Sequence, residues 1–156
     1  MEIKVLSWSM AEEFNPQVPT LAMRIMGTSA QDKRYFPLRS SPLYVAVFEY
    51  RFDDLKSSEL EPDDWLDVYA GRRILFDEKI ARQMINHFMR FRDRVNGLMI
   101  QCYGGIGRSA GTASGLNEAF ELGANPMEWE TAKTNWMVKQ VLIATAERMK
   151  VGKFAR

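Results

Sequence analysis

Apolar positions along the chain fall into three regimes: short apolar runs near the N-terminus, a stretch without sustained period, and then apolar residues at helical spacing. IKVLSW (3–8) and LAMRIM (21–26) read as strands, the second following the turn material NPQVP. LYVAVFEY (43–50), dense in Val, Tyr and Phe, reads as the strongest strand of the chain. RFDDLKSSELEPDDWLD (51–67) is acidic, holds Pro62 and shows no sustained periodicity, and SSELEPDDWLDVYAGRR (57–73) reads as an insertion between elements. From Phe76, the residues Ile80, Met84, Phe88, Phe91 and Val95 follow at steps of three or four until Gly97, which predicts an amphipathic helix. LMIQC (98–102) predicts a brief buried strand, and SAGTASGLNEAFEL, stopped by Gly123, a helix after a glycine-rich turn. Pro126 suits the first turn of another helical region, and NWMVKQVLIATAERMK the C-terminal helix.

Strands alternating with helices predict an α/β fold: a mostly parallel central sheet flanked by helices, with ligands placed beyond the carboxyl ends of the strands. The chain has 156 residues, 46% of them hydrophobic, and shows no internal repeat or linker-like tract, which predicts a single domain over 1–156. A formal charge of +1 gives no field that would gather nucleic acid or an anionic membrane, so neither is expected as a partner. No basic segment leads into a long apolar one, and the one cysteine can form no internal disulfide; both point to a reducing, cytoplasmic setting. With only His87 as a second soft ligand, a structural zinc site is not expected.

That one cysteine stands in LMIQCYGGIGRS (98–109), where a strand turns directly into a helix. Such a turn leaves backbone N–H groups without carbonyl partners, and the helix dipole adds partial positive charge, so the turn can cradle an anion. Gly104, Gly105 and Gly107 let the backbone approach a ligand closely. A thiol at the base of that cradle, with Arg108 six places on, is expected to ionise easily, in the range of about 3.5–7.5 known for activated cysteines. Arg108 can grip two oxygens of a phosphoryl group with its planar fork, and Ser109 can donate to the sulfur.

C-Y-G-G-I-G-R-S (102–109) resembles the C-x5-R-[ST] signature of the cysteine-dependent protein tyrosine phosphatase superfamily. With its preceding strand and following helix, the segment is most similar to the small dual-specificity and prokaryotic tyrosine-phosphatase-like members. The resemblance implies a phosphate-binding loop between strand and helix and a hydrolase that needs no cofactor and no metal. Cys102 would attack phosphorus in line. Arg108 and the loop Tyr103, Gly104, Gly105, Ile106 and Gly107 would hold the transferring phosphoryl group, and a separate aspartic acid would protonate the leaving oxygen. The substrate it implies is a phosphorylated protein, at tyrosine or at serine and threonine as well, or a small phosphomonoester. Members commonly have histidine before the nucleophile, whereas this chain has Gln101, which can orient backbone but carries no charge. Gln101 and the acidic insertion keep an alternative open: a non-catalytic module that binds phosphate or phosphopeptides.

General-acid help to a leaving group is worth about 10²–10⁴ in rate and needs a carboxyl on a loop beside the cradle. EYRFDDL (49–55) follows the strongest strand, and in the family the acid sits on such a post-strand loop, with a Phe-acidic-Asp arrangement like Phe52-Asp53-Asp54 in some members. Asp54 is therefore the expected donor, Asp53 the second choice, and Asp63, Asp64 or Asp67 of the insertion, read as a lid, the third. The loop holds no lysine and no second arginine, which favours one phosphate over several. GGIGRS lacks the Lys-Ser/Thr pair of a Walker loop, and a redox role would need an external resolving thiol. His87 reads as structural or surface, Met84, Met89 and Met99 as core filler, Trp129 and Trp136 as packing on the sheet, and MKVGKFAR (149–156) as a frayed tail.

Overall fold

A computed structural model describes residues 1–32 and 35–156. Four strands, β1 (Glu2–Leu6), β2 (Thr20–Met26), β3 (Tyr44–Arg51) and β4 (Gly97–Gln101), form one sheet in the order β1-β4-β2-β3, with every pairing parallel. The fold is thus α/β, with helices flanking an all-parallel sheet. β4 is last in sequence but lies between β1 and β2, and like β2 it is buried at every position, as an interior parallel strand must be.

Side chains alternate across the strands, so Leu21, Met23, Ile25, Leu98 and Ile100 face one side, where they join the main core. Three helices cover that side: α3 (Glu78–Phe91), α4 (Arg108–Phe120) and α5 (Trp136–Met149). α3 starts where Asp77 accepts a hydrogen bond from the Ile80 amide (3.0 Å), and its stripe Ala81, Met84, Ile85, Phe88 and Phe91 turns inward. α4 is built from small residues and buried through most of its length, because α5 lies directly against Gly111 and Gly115. The opposite side of the sheet carries only a small apolar cluster, Ala11, Ala22 and Met99, joined by Leu6, Phe14, Leu38 and Tyr44.

Several elements differ from the sequence reading, each for a local reason. The first strand ends at Leu6, because Ser7 accepts a hydrogen bond from the Met10 amide and opens α1 (Trp8–Glu13). The acidic insertion contains a helix, α2 (Pro62–Tyr69), started by the reciprocal Glu61–Asp64 capping box with Pro62 in the first turn. None of its residues is buried, and Asp64 and Asp67 pair with Arg73 and Arg72 rather than reaching inward. Phe76 precedes α3 rather than beginning it.

Met84 and Met99 are core residues as expected, but Met89 points to solvent. Trp129 is buried in the main core with its indole N–H donating to Ser114 Oγ of α4 (2.8 Å), whereas Trp136 is partly exposed beside the Lys139 ammonium. His87 is structural: its ring stacks on Phe48 and Nδ1 shares a hydrogen bond with the Tyr50 hydroxyl (2.8 Å). The C-terminal tail is docked, not frayed. Val151 and Phe154 pack on the core, and Lys153 reaches Glu118. Among the described residues no helix is long and apolar enough to cross a membrane.

Candidate functional site

Because all four strands run the same way, the segments that leave their carboxyl ends meet on one edge of the sheet. Cys102 lies there, one residue past β4, and is 2% exposed. Its amide donates to the Leu6 carbonyl (3.4 Å) and the Trp8 amide donates to the Tyr103 carbonyl (3.2 Å), so the loop is pinned to the end of β1. The loop then curls around the sulfur. The Gly105 amide donates to Cys102 Sγ (3.2 Å), and the Ser109 hydroxyl lies 3.1 Å from the same atom.

Two glycines make that curl possible. Gly105 has φ +69° and passes so close to β1 that a Cβ would stand 2.5 Å from the Ser7 nitrogen. At Gly107 a Cβ would stand 2.5 Å from Asp54 Oδ2, so the Asp54 carboxylate lies directly against the loop. Helix α4 starts here without a side-chain cap. The amides of Tyr103, Gly104, Ile106 and Gly107 have no acceptor among the described residues. Tyr103 and Ile106 are exposed at the rim, and the Trp8 ring stacks on Tyr103 with centroids 6.3 Å apart.

Arg108 is buried at the first position of α4 and reaches across to the ends of β2 and β3. Its Nη1 donates to Asp32 Oδ2 (2.5 Å) and to the Phe52 carbonyl (3.0 Å). Burial works against its charge, but the Asp32 hydrogen bond and the neighbouring Cys102 and Asp32 outweigh it and hold the guanidinium pKa above its ordinary value. Asp32 is in turn bonded by the Tyr35 hydroxyl, which also lies 2.8 Å from the Ile25 carbonyl. Burial first, then that bond to Asp32, pushes the Tyr35 phenol above its ordinary pKa, so it stays a donor.

The two neighbouring aspartates have opposite environments. Asp53 is 7% exposed and fully occupied: it accepts from the Thr28 amide (2.9 Å), the Thr28 hydroxyl and the Ile74 amide (2.7 Å). It fastens β3 to the turn after β2 and to the end of the insertion. Asp54 faces the loop, where Oδ1 accepts from Asn135 Nδ2 (2.8 Å) and Oδ2 lies beside Gly107. Cys102, Arg108, Ser109, Asp54 and the glycines therefore converge, while Asp63 is exposed on α2 and Asp64 and Asp67 are half-buried in pairs with Arg73 and Arg72.

Sequence reasoning passed over three residues that build this site. No motif marks Asp32, in the turn after β2, or Tyr35; only the place of Asp32 just past a strand, on the edge where parallel sheets commonly hold ligands, could have pointed to it. Asn135 is legible as the cap of α5, where its Oδ1 accepts from the Val138 amide (3.3 Å). Its other face, donating to Asp54 and to the Leu55 carbonyl (3.1 Å), is a tertiary contact that spacing does not encode. Comparison with protein-family models, curated proteins and solved structures returns no match.

Proposed function

We propose that the chain is a phosphomonoester hydrolase of the cysteine-dependent protein tyrosine or dual-specificity phosphatase type, working through a cysteinyl-phosphate intermediate in the cytoplasm. The observation that carries this reading is a convergence at the uncapped start of α4: a buried sulfur receiving a backbone N–H, an anchored guanidinium, and a carboxylate lying against the loop.

In this reading the free amides of the loop and the Arg108 guanidinium bind the three phosphoryl oxygens. The Cys102 thiolate attacks phosphorus as the bond to the leaving oxygen breaks, and Asp54 gives its proton to that oxygen. A water then attacks phosphorus, passes its proton to Asp54 and displaces the thiolate, which Ser109 stabilises by donating a hydrogen bond. Asp53 has no part in proton transfer, because its oxygens are committed to Thr28 and Ile74.

Purified protein releases phosphate from an aryl phosphate on this proposal. Cys102→Ser abolishes turnover, and Asp54→Asn lowers kcat by about 10²–10⁴. Full turnover by Cys102→Ser would refute the mechanism. Tight binding of a phosphopeptide by the unaltered chain, with no phosphate released in a single turnover, would replace the enzyme by the non-catalytic binding module that Gln101 suggests.

A further inference from the structure

Asp54 is exposed, and an exposed carboxylate on a loop ordinarily turns among several rotamers. Here one residue holds it. Among the described residues, the only hydrogen bond that the Asp54 carboxylate accepts comes from Asn135, whose Nδ2 donates to Oδ1 (2.8 Å) and also to the Leu55 carbonyl (3.1 Å). Asn135 is 0% exposed and is committed elsewhere as well: its Oδ1 accepts from the Val138 amide (3.3 Å), and its own backbone N–H donates to the Gly107 carbonyl (3.1 Å). One buried residue at the start of α5 is thus tied both to the acid segment 54–55 and to the glycine just before Arg108.

Those partners fix which way the Asn135 amide points. A carbonyl only accepts and a backbone N–H only donates, so Leu55 on one side and Val138 on the other leave one orientation, with the NH2 group toward Asp54. The consequence falls on Asp54. In a protonated carboxyl the carbonyl oxygen is the better acceptor, so Oδ1 keeps that role toward Asn135 and the hydrogen sits on Oδ2, the oxygen that lies against Gly107. We propose that Asn135 is a positioning residue for proton transfer, which turns Asp54 so that Oδ2 stays against the Cys102 loop, where the leaving oxygen departs. The inference rests on the phosphatase reading above and adds to it the group that aims the acid. As the bond from sulfur to phosphorus forms and the bond to the leaving oxygen breaks, the proton passes from Oδ2 to that oxygen, and its electron pair stays on the carboxylate that Asn135 still holds by Oδ1. Without Nδ2 the carboxyl samples rotamers that carry Oδ2 off the loop, and a misplacement of about 1 Å can cost about 10²-fold in rate.

The test compares two substrates in each protein. Phenyl phosphate has a leaving oxygen that needs the proton, whereas dinitrophenyl phosphate has one that departs as a stable anion, and kcat/KM reports the steps up to that departure. Asn135→Ser keeps a side-chain oxygen for the Val138 amide, serine being a good helix cap, but has no donor for Asp54. It should lower kcat/KM for phenyl phosphate by about tenfold or more, and for dinitrophenyl phosphate by less than about twofold. In the Asp54→Asn background the same substitution should change neither value by more than about twofold. Equal losses on the two substrates, no loss on either, or an undiminished loss in the Asp54→Asn background would overturn the proposal and leave Asn135 as a helix cap alone. A folding defect scales both substrates alike, so their ratio reads the aim of the acid. Asn135→Thr, which also caps and fills more of the space, supplies the same ratio where the serine variant is unstable. Failure of the phosphatase reading looks different: the parent turns over neither substrate, or Cys102→Ser turns over both, and the proposal falls with it.

Discussion

Two buried arginines lie on opposite sides of this sheet, and their surroundings differ in one respect. Arg108 has a carboxylate and a carbonyl on Nη1, and Asp32 has a tyrosine behind it. Among the described residues Arg24 is bonded to one neutral amide, that of Gln101, and lies over the Tyr35 ring, and its Nη2 has no hydrogen-bond partner. Burial alone drives the pKa of each downward; only at Arg108 do the partners reverse the shift, whereas at Arg24 the more distant Glu49 and Glu12 do not. A paired buried charge fixes geometry, as the Arg108 fork is fixed beside the loop. An under-paired one leaves part of its desolvation cost uncompensated.

Removing the carboxylate from the paired side is the largest perturbation. Asp32→Ala leaves Arg108 buried without its counter-charge and should lower unfolding free energy by about 3–5 kcal/mol, measured by denaturant titration. If the loop acts as proposed, phosphate release from an aryl phosphate should fall with it, since the fork loses its anchor. A loss below about 1 kcal/mol, the range of an exposed ion pair, would mean that Asp32 does not carry the pairing.

Tyr35 joins the two regions, its hydroxyl on Asp32 and its ring under Arg24. Tyr35→Phe keeps the ring and deletes the hydroxyl, so it should cost about 1 kcal/mol, one net hydrogen bond. Thermal unfolding of both variants in the same buffer orders them. If Tyr35→Phe matched Asp32→Ala, the tyrosine rather than the ion pair would be holding Arg108.

Sequence patterning made the sheet legible because each strand is a compact apolar run, and α3 because its buried stripe keeps helical period. α1 escaped because six residues are too few for a period and only Ser7 marks its start; α2 escaped because its signal is a capping box inside an acidic stretch, not an apolar face. At the site, Cys102, Arg108 and Ser109 were legible since one continuous segment brings them together. Asp54 was preferred over Asp53 by resemblance alone, and the structure separates the two by what each already bonds. Asp32, 76 residues before Arg108, could not be paired with it by spacing, nor could Arg24 with Gln101, 77 apart. Contacts of that range follow from strand order, and β4 enters between β1 and β2 only in three dimensions.

A double variant at Arg24 and Gln101 has the smallest expected effect and is the sharpest test of the contrast. Gln101→Leu removes the only hydrogen-bond partner that Arg24 has among the described residues and should cost about 1–3 kcal/mol, the price of stranding a buried donor. Arg24→Met alone strands only the Gln101 carbonyl oxygen while also relieving a desolvated charge, so its loss should be smaller. The double variant Arg24→Met/Gln101→Leu replaces both polar partners by apolar chains and should lie within about 1 kcal/mol of the parent or above it, as buried ion pairs often do when exchanged for packing. The stabilities would then be strongly non-additive, the double variant being no worse than Gln101→Leu alone. If instead the losses simply add, the two residues act independently, Gln101 is not what offsets the burial of Arg24, and the contrast with Arg108 disappears.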